Sequence, residues 1–254
     1  MSVFGTEESF RDKFTVEEIR RRFDGDVEQF SNLETGQSAA MDSPLHLELV
    51  AEAVQRAVPD AKHLLDLGCG AGNYTLRLLM GYEVPPEQVT LVDLSRPMLD
   101  RAIERISASF PRVRLNAVQA DVREFAYEAQ RFDAVIAAQC LHHLRHALEW
   151  MDVFSAIHRG LKPGGVLWIS DSLEQHHPAV RKLARERWGD YLETIRDKSY
   201  RDHVLAYVDK EDSPRSLVWQ LEKMREVGLT DLDVLHVNGR FGVFGGMKSR
   251  GVTP

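Results

Sequence analysis

The order of residue patterns predicts a doubly wound α/β fold, in which a mostly parallel seven-stranded sheet ends in an antiparallel C-terminal hairpin. Apolar runs of strand length alternate with helix-periodic segments between residues 62 and 171, and such alternation implies parallel strands with helices on both faces. A glycine-rich turn, Gly68 to Gly72, follows the first of these runs. Near the C-terminus, Asn238-Gly239 separates two alternating runs, which is a strong hairpin signal.

Local signals define the individual elements. Ser43 as N-cap, with Pro44 at the first helical position, predicts a helix that has its apolar residues on one side. Ser95 caps a second helix over 96–108, and Ser213-Pro214 starts another that stops at Gly228. Two further helices are predicted, at 73–80 and before Gly160, and the predicted strands are 62–67, 89–93, 112–118, 132–138, 165–171, 231–237 and 240–248.

The same patterns divide the chain into four predicted segments. Residues 1–43 form an N-terminal helical lid segment, and residues 44–171 form the strand–helix core. Residues 172–212 depart from the strand–helix rhythm, are charged and rich in Tyr, Arg and His, and are predicted to form a helical cap insertion. Residues 213–254 supply the last helix and the hairpin that completes the core.

Composition limits the classes of partner. The chain carries 32 Lys and Arg against 39 Asp and Glu, a net charge of −7, and has no long basic block, which argues against binding along a nucleic-acid backbone. No signal-peptide pattern or membrane-length apolar run is present in the sequence. With only two cysteines, Cys69 and Cys140, a disulfide framework is absent. We therefore expect a cytoplasmic protein that acts on a small molecule.

The glycine-rich turn predicts a ligand crevice. Asp66 lies near the end of the first strand, and the glycines after it let the backbone approach a ligand closely. Asp93 ends the next strand, 93 − 72 = 21 residues after Gly72. A carboxylate at this place can accept hydrogen bonds from both hydroxyls of a ribose.

The spacing of the glycines argues against a dinucleotide. The fingerprint Gly-x-Gly-x-x-Gly/Ala fails from either start, because the sixth position is Asn73 counted from Gly68 and Thr75 counted from Gly70. Asp66 also places a negative charge where an ammonium group is more welcome than a pyrophosphate. An adenosine that carries an amino acid, as S-adenosylmethionine does, fits better.

The glycine turn and the segments that follow it resemble those of the class I (Rossmann-like, seven-strand) S-adenosylmethionine-dependent methyltransferases. Leu64 to Gly72 resembles their first motif, and Gln119 to Val122 the end of their third strand. Phe132 to Leu144 resembles their fourth strand and active-site rim, and Leu161 to Asp171 their fifth strand with its preceding turn. The resemblance implies S-adenosylmethionine as cofactor, S-adenosylhomocysteine as product, and no metal. The cofactor-binding residues that follow from it are Asp66, Gly68, Cys69, Gly70, Gly72, Asp93, Leu94, Met98, Asp121, Val122 and Gln139.

Methyl transfer from a sulfonium asks mainly for in-line positioning, and a general base helps when the acceptor must lose a proton. His142 follows the fourth strand and His176 the fifth, so both are candidates, although histidines here also serve in packing and capping. Tyr200 and Arg201 of the cap are predicted to face the methyl-donor pocket. His142 and His146 have helical i, i+4 spacing, but no further partner falls at ligand spacing, so no metal is expected.

Two alternatives to a methyltransferase with a small-molecule acceptor stay open. The segment from Ser199 to Ser213 resembles the C-terminal layout of carboxy-S-adenosylmethionine synthase, an enzyme of tRNA modification. In that reading Arg201 would pair with the added carboxylate. The other alternative is a non-catalytic S-adenosylmethionine-binding protein, against which the intact Asp66, glycine turn and Asp93 argue.

Overall fold

The structure, a computed structural model, describes residues 10, 12–33 and 36–251. Its first half begins with three helices and then alternates strand and helix. The elements are α1 (Val16–Gly25), α2 (Val27–Phe30), α3 (Ser43–Ala57), β1 (His63–Leu67), α4 (Asn73–Met80), β2 (Gln88–Asp93), α5 (Arg96–Ser109) and β3 (Arg114–Gln119).

The second half completes the sheet and adds a helical pair between its strands. It contains β4 (Phe132–Ala138), a 3-10 turn (Leu141–His143), α6 (Ala147–Gly160), β5 (Leu161–Ser172), α7 (Pro178–Ile195), α8 (Lys198–Glu211), α9 (Leu217–Glu226), β6 (Leu229–Asn238) and β7 (Phe241–Lys248). Among the described residues, no helix combines the length and hydrophobicity that a membrane span requires.

The seven strands form one sheet in the order β3-β2-β1-β4-β5-β7-β6. Strands β1 to β5 pair in parallel, and β7 lies antiparallel between β5 and β6. The predicted fold class is therefore confirmed. Strands β2 and β3 are added on one side of β1, and β4 and β5 on the other. Ligands of open α/β sheets bind at such a switch point, here between β1 and β4.

Alternate residues of each central strand face opposite sides of the sheet. In β1, Leu64 joins a core cluster with helices α3, α4 and α5, whereas Leu65 and Leu67 join a second cluster with α6 and α9. Both faces of the central strands are buried, as a parallel sheet between two helix layers requires.

Three predicted starts or turns are displaced, and at the two helix starts a tertiary contact engages the predicted or adjacent cap residue. Asp42, not Ser43, is the N-cap of α3, with φ 59° and no capping side-chain bond, because its carboxylate binds His236 and Asn238 of the hairpin. The last helix begins at Leu217 after the cap Ser216. The backbone amide of Ser213 instead donates to the carbonyl of His142 at 2.6 Å.

The hairpin turn is also one residue later than predicted. Asn238 pairs with Phe241, so the two-residue loop is Gly239-Arg240, and Gly239 adopts φ 58°. The histidines 142 and 146 do not share a helix face, because His142 lies in the 3-10 turn and His146 is the N-cap of α6.

Candidate active site

A cavity of about 190 Å³ lies at the carboxyl ends of β1, β2 and β4, where the topology predicts a ligand. We call it the central cavity. The core supplies its floor, α1 and α2 supply one wall, and α7 and α8 supply another. The predicted residues that line it are Gly68, Gly70, Asp93, Leu94, Met98, Asp121, Val122, Gln139 and His142.

The glycine turn has the backbone that its composition implies. Gly68 has φ 64°, and a Cβ on it would collide with Cβ of Cys140, so only glycine fits. Gly70 has φ 51° and no heavy atom within 4 Å of its Cβ position. Because Gly70 lines the central cavity, this free space is available to a ligand.

Asp93 holds the turn and also faces the cavity. Its carboxylate accepts hydrogen bonds from the backbone amides of Gly70 and Ser95, each at 2.8 Å, and burial raises its pKa to about 6. A carboxylate oxygen has two lone pairs, so each oxygen keeps acceptor capacity for a ribose hydroxyl.

Asp66 lies beneath the turn and does not line the cavity. It is 1% exposed, one of its oxygens accepts a 2.6 Å bond from the Thr75 hydroxyl, and the other has no partner among the described residues. Burial raises its pKa to about 7. Cys69 and Gly72, also predicted to bind cofactor, are likewise absent from the cavity lining. These three residues support the turn from behind.

Asp121 faces the far end of the cavity and carries its own counter-ion. Burial alone would raise its pKa, but the hydrogen bonds and charge of Arg123 outweigh burial and lower it. Arg123 reaches both Asp121, at 2.5 Å, and Glu149 of α6, at 2.7 Å. Arg123 was not predicted, because nothing in the sequence marks a loop arginine as a cavity residue.

Gln139, the first residue after β4, adopts φ 52° although it is not glycine. Its backbone amide donates to the carbonyl of Ser170 at 2.8 Å. Such backbone strain is found at functional sites, and here it turns the chain from the strand into the 3-10 turn that carries His142 and His143.

The histidine pair stands against a buried carboxylate. Nδ1 of His142 hydrogen-bonds to Oδ1 of Asp171, and the backbone amide of His142 donates to the other oxygen at 3.1 Å. Asp171 is fully buried. This arrangement fixes the ring and directs Nε2 away from Asp171, as in an Asp–His general-base pair.

Asp212 approaches the same rings from the end of α8. One of its oxygens lies 3.5 Å from Nε2 of His142 and 3.9 Å from Nδ1 of His143. Burial would lower the pKa of His142, but Asp212 and Asp171 outweigh it and raise this pKa to about 9. Burial and the neighbouring His142 lower the pKa of His143 well below its usual value.

His142, His143 and Asp212 could also hold a cation, since each offers a ligand atom and these atoms lie within 4.8 Å of one another. Nδ1 of His143 is buried without a hydrogen-bond partner among the described residues. The expectation of no metal, which rests on His142, His146 and Cys140, therefore remains a prediction.

Helix α1, in the N-terminal segment, is joined to α8 by an ion pair at the cavity. Arg22 of α1 binds Glu211 through two hydrogen bonds of 2.6 and 2.7 Å, and the Glu211 side chain is 0% exposed. The guanidinium carbon of Arg22 also lies 4.7 Å from the ring centre of Tyr207. Ile19, Phe23 and Phe30 add apolar lining from the same segment.

Three of the four predicted catalytic residues lie away from the cavity. Arg201 pairs with Glu193 and Asp202 at 2.6 and 2.9 Å and packs against Gly189 of α7. Tyr200 packs with the cluster around Trp188. Both occupy the first turn of α8, whereas the cavity contacts only its last two turns, from Tyr207 to Asp212.

The prediction that Tyr200 and Arg201 face the methyl-donor pocket is therefore wrong, and the pairing of Arg201 with a cofactor carboxylate fails with it. His176 is exposed just before α7 and does not line the cavity either. The sequence pattern places the cap over the crevice but does not indicate the direction in which its helices run.

Comparisons with known proteins show which proteins the chain is similar to. The family described as "Methyltransferase domain" matches residues 64–165. Trans-aconitate 2-methyltransferase from Acidovorax sp. (strain JS42) is 34% identical over 148 residues, which are 55% of this chain and 51% of that enzyme. Carboxy-S-adenosyl-L-methionine synthase from Shewanella amazonensis is 25% identical over 202 residues, 74% of this chain and 76% of that enzyme.

Among solved structures, the 1,6-didemethyltoxoflavin-N1-methyltransferase of Burkholderia thailandensis has the same fold. It aligns with a TM-score of 0.62 and 17% identity over 98% of this chain and 93% of its own. The chain spans only about half the length of some curated relatives, 44% of one and 51% of another. The similarity to the solved structure is one of fold.

Proposed function

We propose, from the premise that the chain carries a methyltransferase domain of the class I S-adenosylmethionine-dependent family, that the protein methylates a small molecule. One observation carries the proposal. The central cavity brings together a glycine turn with open space above Gly70, the strand-end carboxylate of Asp93, and the His142–Asp171 pair.

The residues present fit S-adenosylmethionine. Asp93 would accept the ribose hydroxyls, Asp121 and Val122 would meet the adenine, and Gly68 and Gly70 would allow close approach of the backbone. When bound, this cofactor supplies a methyl group that is already activated on a sulfonium.

The chain's own part in the reaction is to position the acceptor and to remove its proton. Asp171 accepts a hydrogen bond from Nδ1–H of His142 and so holds the ring in place. The free Nε2 can then take a proton from an acceptor hydroxyl or ammonium. Apolar side chains of the N-terminal helices, among them Phe23 and Phe30, line the cavity and would limit the access of water to the bound acceptor.

A small molecule is the acceptor that the cavity supports. Helices α1 and α8 meet beside the site through the Arg22–Glu211 pair, and the volume of the cavity is about 190 Å³. The net charge of −7 offers no support for a nucleic-acid acceptor. Cys69 and Cys140 are free thiols, in keeping with the cytoplasm.

A carboxy-S-adenosylmethionine synthase is the second candidate, favoured by a relative that covers 74% of the chain. Arg201 cannot serve it. Among the arginines that line the central cavity, Arg22 and Arg123 have ion pairs with carboxylates. Arg145 instead hydrogen-bonds to the backbone carbonyl of Phe14, and it makes no ion pair with any described residue.

Mass spectrometry of the ligand that co-purifies with the protein separates the candidates. Methyl transfer predicts S-adenosylmethionine or S-adenosylhomocysteine, whereas a carboxylated cofactor would favour the second candidate. A panel of small hydroxy and amino compounds is then incubated with trideuteromethyl-labelled cofactor. Transfer of the label to one compound is expected, and a bound cofactor that no compound consumes would indicate the non-catalytic alternative.

A further inference from the structure

A second cavity of about 330 Å³ lies beside the central cavity. The segment before α1, the β5–α7 connection, α7, the α8–α9 connection and the hairpin turn form its walls. Among the described residues its lining is strongly cationic, which the net charge of −7 does not lead one to expect. The cationic side chains are Lys13, Arg181, Arg185, Arg215 and Arg240, and the acidic ones are Glu174 and Asp212.

Arg181 and Arg185 of this lining are each paired with a carboxylate. Arg181 binds Glu174 at 2.9 Å, and Arg185 binds Asp209 through both carboxylate oxygens at 2.6 and 2.8 Å. Lys13 differs, since its ammonium group donates to the backbone carbonyls of Asp209 and Asp212 rather than to a carboxylate. No carboxylate forms an ion pair with Lys13 among the described residues, and the charges of Asp212 and Asp209 act on it from a greater distance.

Arg240 is the most informative member. Its side chain is 11% exposed, and its guanidinium carbon lies 4.2 Å from the ring centre of Trp188. Its one ion pair among the described residues is a long one, 4.0 Å to Asp212. Its Nε is buried without a hydrogen-bond partner in the described part of the chain. A buried guanidinium with an unpartnered N–H donor is costly unless a negative group completes the site.

We propose that the second cavity binds an anionic group, a phosphate or a carboxylate, of a small molecule. Guanidinium groups match the paired oxygens of both anions. The cavity is built from five separate parts of the chain, so its positive charge is concentrated by the tertiary fold and not by a run of basic residues.

The second cavity shares one residue with the central cavity. Asp212 lines both, with one oxygen 3.5 Å from Nε2 of His142 and the other 4.0 Å from Arg240. An anion bound here is therefore one side chain away from the proposed methyl-transfer site. The binding site itself stands independently of methyl transfer, and its test needs no turnover.

The test is a calorimetric titration of the full chain with orthophosphate and, separately, with citrate, at constant ionic strength in chloride buffer. Each titration is made with and without S-adenosylhomocysteine, because anion binding in the central cavity would be lost when that compound is present. We expect saturable binding of one anion per chain that persists with the compound present, and the preferred anion identifies phosphate or carboxylate as the group recognised.

Lys13→Gln and Arg181→Gln are each expected to weaken this binding at least tenfold. Lys182→Gln is the matched control, because Lys182 lies on the same helix as Arg181, is exposed and does not line the cavity. Arg240→Gln is a further test if its thermal unfolding matches that of the wild type. The proposal would be overturned if neither anion showed saturable binding. It would also be overturned if Lys182→Gln weakened anion binding as much as Lys13→Gln and Arg181→Gln do.

Discussion

Asp93 shows how one side chain can be both a structural and a ligand-binding group. It accepts hydrogen bonds from the amides of Gly70 and Ser95, and thereby sets the distance between the glycine turn and the start of α5. Its remaining lone pairs face the central cavity. Loss of the carboxylate should therefore weaken cofactor binding, both directly and through the position of the glycine turn.

We predict that Asp93→Ala lowers the affinity for S-adenosylhomocysteine at least tenfold. Each hydrogen bond to a charged acceptor contributes about 1.5–3 kcal/mol, and two from the ribose would be lost. Calorimetric titration measures the change. Asp100→Ala is the control, since Asp100 is an exposed residue of α5 that pairs with Arg96. Wild-type affinity in a folded Asp93→Ala variant would contradict the assignment.

His142 should impose a pH dependence on methyl transfer. A base must be unprotonated to accept a proton, and the pKa of His142 is raised to about 9. We predict that kcat/KM rises as the pH approaches 9 and levels off above it. Asp212→Asn removes a charge that raises this pKa, so its profile should move to lower pH.

The control for this shift is Asp209→Asn, because Asp209 pairs with Arg185 at the surface and is not among the groups that act on His142. Profiles are measured on the acceptor identified with labelled cofactor. Identical profiles for the wild type and Asp212→Asn would show that His142 is not the base.

Single residues differ in how far the sequence could predict them. Asp93, Asp121 and His142 could be placed because each follows a strand, and the ends of parallel strands meet at one edge of the sheet. Asp212 could not, because its approach to His142 depends on the orientation of α8 and not on any local pattern. Arg201 was misplaced for the same reason.

Among the elements, the glycine turn and the hairpin turn each contain a glycine with a similar positive φ and open space at its Cβ position. Gly70 has φ 51° and Gly239 has φ 58°, and neither Cβ position has a heavy atom within 4 Å. An alanine at either place costs about 1 kcal/mol of backbone strain. The two positions differ in that Gly70 alone lines the central cavity.

We predict that Gly70→Ala and Gly239→Ala lose similar amounts of stability in chemical denaturation, and that Gly70→Ala alone loses affinity for S-adenosylhomocysteine. The reason is that the methyl group added at position 70 occupies space that the ligand needs. Unchanged affinity in Gly70→Ala would mean that the ligand does not approach the turn.

The attachment of α1 to the cap depends on a buried ion pair. Arg22→Gln would leave the fully buried Glu211 without its partner, and breaking such a pair costs about 3–5 kcal/mol. We expect faster hydrogen exchange in α1 and weaker cofactor binding. Arg21→Gln is the control, because Arg21 is an exposed residue of the same helix. Equal exchange in the two variants would show that the pair does not hold α1 in place.

At the level of the elements, the strands were predictable to within a few residues because buried parallel strands read as apolar runs. The helix starts at Ser43 and Ser213 were not, because tertiary contacts of Asp42 and of the Ser213 amide replace the local caps. The division of the chain into lid, core, cap and terminal segment remains a prediction.

At the scale of the whole molecule, an acidic chain encloses two cavities of different character. The central cavity has carboxylates from three parts of the chain, Asp93, Asp121 and Glu211 with Asp212, and two of them, Asp121 and Glu211, are paired with arginines. The second cavity concentrates the positive charge. No local sequence pattern predicts this division, because the charges that define it are far apart along the chain.

The central cavity is expected to bind S-adenosylmethionine and not a dinucleotide, and the rest of the proposed chemistry depends on this preference. Calorimetric titration of the wild-type protein with S-adenosylhomocysteine, and in parallel with NADH, tests it most directly. We predict one saturable site for S-adenosylhomocysteine and no comparable binding of NADH. Absence of binding by S-adenosylhomocysteine, or equal binding of both compounds, would contradict it.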